Sequence, residues 1–261
     1  KVMKSVPKIG LFDSGLGGLT VLSALNKALP GVPKVYYGDT LHLPYGDKSD
    51  TAIQGYSIKI VQFLKNQGCD LIVIACNSPS ASAGKVLESR FPELTFVNVI
   101  DPVVDHLAQL EKDKVGLLGT RATVRSEAYS LKLAEKNPEV SLCALATPLL
   151  VPLIEDGFLG TGIDSDVLTH YLNDSALEGI QALVPGCTHY PLLKNVATAL
   201  LNEVQWIDAP TIVAEHVAKY WNSSEVGEDT FYLSDRTDNF LSMSHKIFKI
   251  DANWELVRLS E

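Results

Sequence analysis

The sequence predicts an α/β protein of two similar open, mainly parallel-sheet domains related by pseudo-twofold symmetry. Three observations carry that prediction. Short apolar runs alternate with helix-like stretches along almost all of the 261 residues, the pattern of strand–helix–strand units that build parallel sheets. A strand–cysteine–cap–proline sequence occurs twice, as Ile74-Ala75-Cys76-Asn77-Ser78-Pro79 and as Pro185-Gly186-Cys187-Thr188-His189-Tyr190-Pro191. The segment Ile9-Gly10-Leu11-Phe12-Asp13-Ser14 also lines up with Val115-Gly116-Leu117-Leu118-Gly119-Thr120, and each segment is followed at a similar interval by one of the two motif cysteines.

In order along the chain, residues 8–12 read as a first strand, residues 13–18 as a glycine-rich turn, and residues 19–29 as a helix stopped by Pro30-Gly31. The turn lacks the P-loop pattern, and Thr20 stands where a dinucleotide fingerprint needs its last glycine, so a tight strand–helix turn is favoured over a nucleotide site. Residues 34–39 are a second strand and 40–50 a polar loop holding Pro44-Tyr45-Gly46. A helix over 51–67 is closed by Gly68. Residues 71–75 read as a strand buried on both faces. Asn77 and Ser78 are cap residues and Pro79 suits the first helical position, with the helix running on through 81–90. A strand at 94–100 ends at Asp101-Pro102.

The pattern then restarts: helix 103–110, strand 114–120, helix 122–136 and strand 140–146. A segment over 147–159 places Glu155 near a helix end, and a helix covers 165–175. The second cysteine strand leads to a helix at 192–201. A strand at 206–208, a helix at 210–221, a loop at 223–230, a strand at 231–234 and a helix plus short strand over 240–259 complete the chain. A late strand and helix returning to the first half would make the first domain discontinuous, residues 1–100 plus 209–261, with residues 101–208 as the second.

Composition bounds the function. With 46% hydrophobic and 20% charged residues the chain is an ordinary globular protein that needs no disulfide or metal staple. Its four cysteines form no CxxC pair, which argues against a secreted disulfide framework and a structural zinc. A net charge of −9 argues against a broad nucleic-acid surface. No apolar run approaches the length of a membrane span, and residues 1–7 lack the apolar core of a signal peptide, so the cytoplasm is the expected compartment.

Two cysteines on matching strand-to-helix turns are the feature to explain. Racemisation suits such a pair, because one group removes a proton from a chiral carbon while a second of the same kind returns one to the opposite face. A thiol titrates near pH 8.5, and a helix N-terminus lowers that value and raises the thiolate fraction. Amides at the helix starts could hold a carboxylate and stabilise the charge developing on it, with Asn77, Ser78 and Thr188 as further donors. Asp13 and His189 could hold or shuttle protons, although Asp13 is equally readable as a helix cap. Cys69 and Cys143 lack the cap-and-proline signature and read as structural. A redox cysteine pair and a metal site of Cys187, His189 and Glu155 are the less favoured alternatives.

On these residues the sequence resembles bacterial glutamate racemases, the cofactor-independent enzymes of the aspartate/glutamate racemase superfamily. The matching stretches are Gly10-Leu11-Phe12-Asp13-Ser14-Gly15-Leu16-Gly17-Gly18, Tyr37-Gly38-Asp39, Pro44-Tyr45-Gly46, Ala75-Cys76-Asn77, Gly119-Thr120, Val151-Pro152-Leu153-Ile154-Glu155 and Gly186-Cys187-Thr188-His189-Tyr190-Pro191. The late segment Phe231-Tyr232-Leu233-Ser234-Asp235 also matches. The resemblance implies an active site in the cleft between the two domains. It implies interconversion of L- and D-glutamate with neither pyridoxal phosphate nor metal, the D-glutamate feeding peptidoglycan synthesis.

The resemblance also implies that Cys76 works on the D enantiomer with Asp13 beside it. Cys187 would work on the L enantiomer with His189, oriented by Glu155. Asp13, Ser14, Tyr45, Gly46, Asn77, Ser78, Thr188 and His189 would contact substrate, with Thr120 near its ammonium. The family usually has Thr-Ala where this chain has Ser78-Pro79, which keeps the hydroxyl, removes one N–H and implies altered affinity rather than lost activity. The sequence leaves the oligomeric state open, a homodimer being one option; nucleic-acid and membrane partners are not expected. The rival readings are a relative acting on aspartate or a hydantoin, and a two-lobed amino-acid-binding protein without chemistry.

Overall fold

The computed structural model describes residues 7–259; the readings at residues 1–6 and 260–261 lie outside them. Strand β1 (Lys8–Asp13), α1 (Gly18–Ala28), β2 (Lys34–Gly38), α2 (Asp50–Asn66) and β3 (Cys69–Ile74) open the chain, followed by α3 (Asn77–Ser82), α4 (Gly84–Arg90), β4 (Thr95–Asn98) and α5 (Asp101–Leu107). The second series is β5 (Lys114–Gly119), α6 (Arg121–Arg125), α7 (Ala128–Lys136), β6 (Ser141–Ala146), α8 (Leu150–Glu155), α9 (Ile163–Leu172), β7 (Ala182–Gly186), α10 (Lys194–Leu200) and β8 (Gln205–Trp206). Helix α11 (Ala209–Tyr220), β9 (Thr230–Leu233), α12 (Asp238–Phe248) and β10 (Trp254–Leu256) complete the chain.

Two open sheets result, one in the order β10-β9-β2-β1-β3-β4 and the other in the order β6-β5-β7-β8. Every strand pairing in them is parallel. The order β2-β1-β3-β4 is repeated as β6-β5-β7-β8, and the repeat extends to register. Gly10, Leu11 and Phe12 pair with Ile72, Val73 and Ile74, while Gly116, Leu117 and Leu118 pair with Leu183, Val184 and Pro185. Cys76 and Cys187 therefore stand at equivalent places, each two residues beyond the last of those partners. The late strands β9 and β10 extend the first sheet from β2.

Both sheets are covered on two faces, which explains apolar runs without alternation. Leu11 and Val73 of the first sheet share one core with Val115 and Val184 of the second. The opposite face of the first sheet, with Phe12, Ile72 and Ile74, packs under α2 and α4, and that of the second, with Leu118 and Leu183, under α8, α9 and α10. Helix α11 lies against α1 and α5.

The structure corrects several element boundaries. The helix after Cys76 is broken at Ala83 rather than running through to Arg90. The Ser82 hydroxyl bonds back to the Ser78 carbonyl at 3.0 Å, a competition that weakens and bends helices. Cys76 itself holds the cap position, so Pro79 is third in the helix, not first. Its missing N–H still falls among the amides that have no intrahelical partner.

The helix expected over 122–136 divides at Ser126-Glu127, where Ser126 Oγ donates to the Thr123 carbonyl at 2.6 Å and accepts from Ala128 N at 3.2 Å. Glu127 takes a left-handed φ of 55°. After Cys187 the chain makes a 3-10 turn, Tyr190–Leu193, before α10. Strand β4 stops early because Asn98 Oδ1 accepts the Ile100 and Asp101 amides at 3.0 and 2.9 Å. Strand β8 stops because Asp208 caps α11. Among the described residues no helix is long and apolar enough to cross a membrane.

Candidate active site

The carboxyl ends of β1, β3, β5 and β7 bring their following turns together, the edge of an open α/β sheet where ligands bind. Asp13 ends β1 fully buried. Its Oδ2 accepts the amides of Gly15 at 3.1 Å and Gly18 at 2.7 Å, so it ties down the turn into α1, although Gly17 and not Asp13 holds the helix cap position. Its Oδ1 accepts from Thr188 Oγ1 of the other series at 3.4 Å. Asp13 therefore braces its own turn and faces the second cysteine turn at once. Thr188 is not the cap expected for the helix after Cys187, because its hydroxyl is turned across to Asp13.

Cys76 is buried at the head of α3, with Ser14 Oγ 3.8 Å from its sulfur. Burial pushes its thiol well up, and the charges of Asp13 and Cys187 add to that, while the Ser14 amide opposes it. The helix N-terminus does not prevail here, contrary to the lowered thiol expected from the sequence.

Cys187 has a different partner. His189 Nδ1 lies 3.7 Å from its sulfur, and His189 Nε2 lies 2.6 Å from Glu155 Oε1. Burial opposes the charge on His189, but its contacts with Cys187 and Glu155 outweigh burial and hold the imidazole well above its usual range. Burial likewise pushes Glu155 up, and the bond and charge of His189 together with the Leu16 amide pull it below the usual carboxylate range. The imidazolium form places one N–H toward Cys187 and the other toward Glu155. The two sides thus differ: a thiol raised by burial and by Asp13 on one, and a thiol facing an imidazole held by a carboxylate on the other.

The remaining residues close around these. Asn77 Nδ2 donates to Tyr129 Oη at 2.7 Å, and the Ser78 and Thr120 hydroxyls lie 3.2 Å apart. Tyr45 Oη donates to Asp39 Oδ2 at 2.5 Å, and His42 Nδ1 donates to the same carboxylate at 2.9 Å. Gly46 lies so close to Thr120 that an added Cβ would sit 2.6 Å from the Thr120 Cβ. Thr20 Oγ1 donates to the Thr188 carbonyl at 2.9 Å, and the Leu16 amide to Glu155 Oε1 at 3.3 Å.

All twelve candidate residues are thereby drawn into one region. Asp39, Thr20 and Tyr129 join it without having been singled out. Asp39 directly follows the end of β2, a signal available in Tyr37-Gly38-Asp39; Thr20 and Tyr129 lie within helices and carry none.

The chain matches the family model described as Asp/Glu/Hydantoin racemase over residues 9–217. A glutamate racemase of Aquifex aeolicus (strain VF5) is 41% identical over 233 residues, covering 89% of this chain and 90% of the relative. The crystal structure of glutamate racemase from Francisella tularensis subsp. tularensis SCHU S4 in complex with D-glutamate superposes with a TM-score of 0.90. It is 33% identical and covers 98% of each chain. That of the Thermus thermophilus glutamate racemase in complex with β-chloro-D-alanine gives 0.88 at 33% identity, covering 97% of this chain and 98% of that one.

Proposed function

The chain belongs to the Asp/Glu/hydantoin racemase family, and from that premise we propose that it interconverts L- and D-glutamate by proton transfer between two thiols. The observation that carries the reading is the repeat in register that sets Cys76 and Cys187 at equivalent ends of β3 and β7. The glutamate-acting relatives cover nearly the whole chain, which favours glutamate over aspartate or a hydantoin.

In the L-to-D direction Cys187 acts as thiolate, with the His189 imidazolium and Glu155 offsetting its charge. It takes the Cα proton, and the electron pair left on Cα spreads into the α-carboxylate. The amides and hydroxyls of the turns, those of Ser14, Asn77, Ser78, Thr120 and Thr188, hold that carboxylate and the ammonium. The Cys76 thiol, kept protonated by burial and by Asp13, gives its proton to the opposite face. Cys187 is left as thiol and Cys76 as thiolate, which is the state needed for the return direction. Tyr45 and Gly46 receive the side-chain carboxylate. Catalysis of this kind depends on groups near their working protonation state.

The domain boundaries 1–100 with 209–261 and 101–208 belong to the same reading, supported by the membership of the two sheets. So does a cytoplasmic supply of D-glutamate to peptidoglycan synthesis, which rests on the family likeness. The test is loss of optical activity from L-glutamate on adding the purified protein without cofactor, followed by circular dichroism. Racemisation lost in both Cys76→Ala and Cys187→Ala supports the reading. Full activity in either variant, or none in the wild type, overturns it.

A further inference from the structure

We propose that Tyr129 is a positioning residue for this reaction, holding the Asn77 carboxamide in the one orientation that leaves its carbonyl oxygen free to accept from the substrate ammonium. The inference rests on the racemase reading above and extends it to a residue outside the site turns. Tyr129 lies in α7 of the second series and Asn77 opens α3 of the first, directly after Cys76. Asn77 Nδ2 donates to Tyr129 Oη at 2.7 Å, and both side chains are buried. The Tyr129 ring is packed into the core shared by the two sheets, so its hydroxyl is a fixed point. Asn77 directly follows Cys76 in the chain and borders one small cavity together with Cys187 and Thr188.

A carboxamide offers a donor end and an acceptor end of nearly the same shape. Turned one way, Asn77 presents its oxygen to an ammonium; turned the other, it presents an NH2 group that repels one. The bond to Tyr129 is the only side-chain hydrogen bond of Asn77 among the described residues, so it is what holds the carboxamide in place, with its NH2 on the phenol oxygen and its carbonyl oxygen left for the ammonium. The next residue is held in the same manner, since Ser78 Oγ lies 3.2 Å from Thr120 Oγ1. The turn after Cys76 is thus oriented from the opposite series at two successive side chains.

The test is Tyr129→Phe, which keeps the packed ring and removes one hydroxyl. Steady-state racemisation and the Kd of D-glutamate by titration calorimetry are measured for wild type, Tyr129→Phe, Asn77→Ala and the double variant. We expect KM and Kd to rise about 10-fold in Tyr129→Phe with kcat nearly unchanged, the mark of lost binding common to ground and transition states. In the Asn77→Ala background Tyr129→Phe should add nothing, because coupled residues are not additive. The side-chain NH2 signal of Asn77 in labelled protein should lose its slow solvent exchange in Tyr129→Phe. A purely structural role would lower the melting temperature and leave KM and Kd in place. Unchanged KM and Kd in Tyr129→Phe, or an equal loss with and without Asn77, overturns the proposal while wild-type racemisation keeps the parent reading intact. A wild type that does not racemise glutamate removes the parent reading and this proposal together.

Discussion

His189 Nε2 lies 2.6 Å from Glu155 Oε1, and that contact aims the other ring nitrogen at Cys187, 3.7 Å away. Glu155→Gln keeps the shape and removes the charge that favours the imidazolium. It should lower kcat/KM by about 10- to 100-fold, the scale expected when a proton-transfer group is mis-set. Because the two enantiomers are equal in energy, kcat/KM must fall by the same factor in both directions, while kcat alone can fall unequally. Progress curves from pure L- and pure D-glutamate check both statements.

The same pair gives a stability signature. His189 is raised in the folded protein, so its contribution is fully present below its unfolded value near 6.5 and is lost as pH rises through the folded value. Glu155 is lowered, so its contribution is present above about 4.3 and is lost as pH falls through the folded value. The stability advantage of wild type over His189→Gln should be greatest between these limits and shrink toward alkaline pH. Urea unfolding of both proteins from pH 5 to 10 measures it.

Gly17 is needed for closeness rather than for an unusual backbone. A Cβ there would stand 2.5 Å from His189 Nδ1 and 2.8 Å from the His189 backbone nitrogen. Gly17→Ala should cost about 1–3 kcal/mol in stability and at least about 100-fold in kcat/KM. Gly55, exposed within α2 with nothing near its Cβ position, is the contrast. Gly55→Ala should gain about 0.5–1 kcal/mol and leave kinetics unchanged.

Pro79 occupies the third position of α3 and offers no N–H to the site turn. Pro79→Ala supplies that amide without breaking a helical bond. KM for glutamate should change by less than about 10-fold with kcat retained, read from the same progress curves.

Much of this site was legible because its key residues sit at strand ends. Cys76, Cys187, Asp13, Ser14 and Thr120 each follow an apolar run, and the repeat from Ile9 and Val115 foretold the matching register of β3 and β7. The helix breaks were not legible, because the Ser82 and Ser126 hydroxyls can either face solvent or bond to the backbone. The Thr188 hydroxyl could have capped a helix, and only the packing of one series on the other turns it toward Asp13. Tyr129 has the spacing of a core residue and is one; its bond to Asn77 depends on a contact 52 residues away. The rise of the Cys76 thiol was not legible, because a helix N-terminus is a local feature, whereas burial and the neighbouring charges come from the assembled site.

The most direct test of two-thiol transfer is the location of solvent deuterium at low conversion. Wild-type protein is incubated with L-glutamate in D2O without cofactor, and both enantiomers are recovered before about a tenth has reacted and read by mass spectrometry. Two thiols on opposite faces place deuterium at Cα of the D-glutamate formed and leave the recovered L-glutamate unlabelled. Deuterium entering L-glutamate as fast as D-glutamate would mean that one group both removes and returns the proton, and would contradict the mechanism.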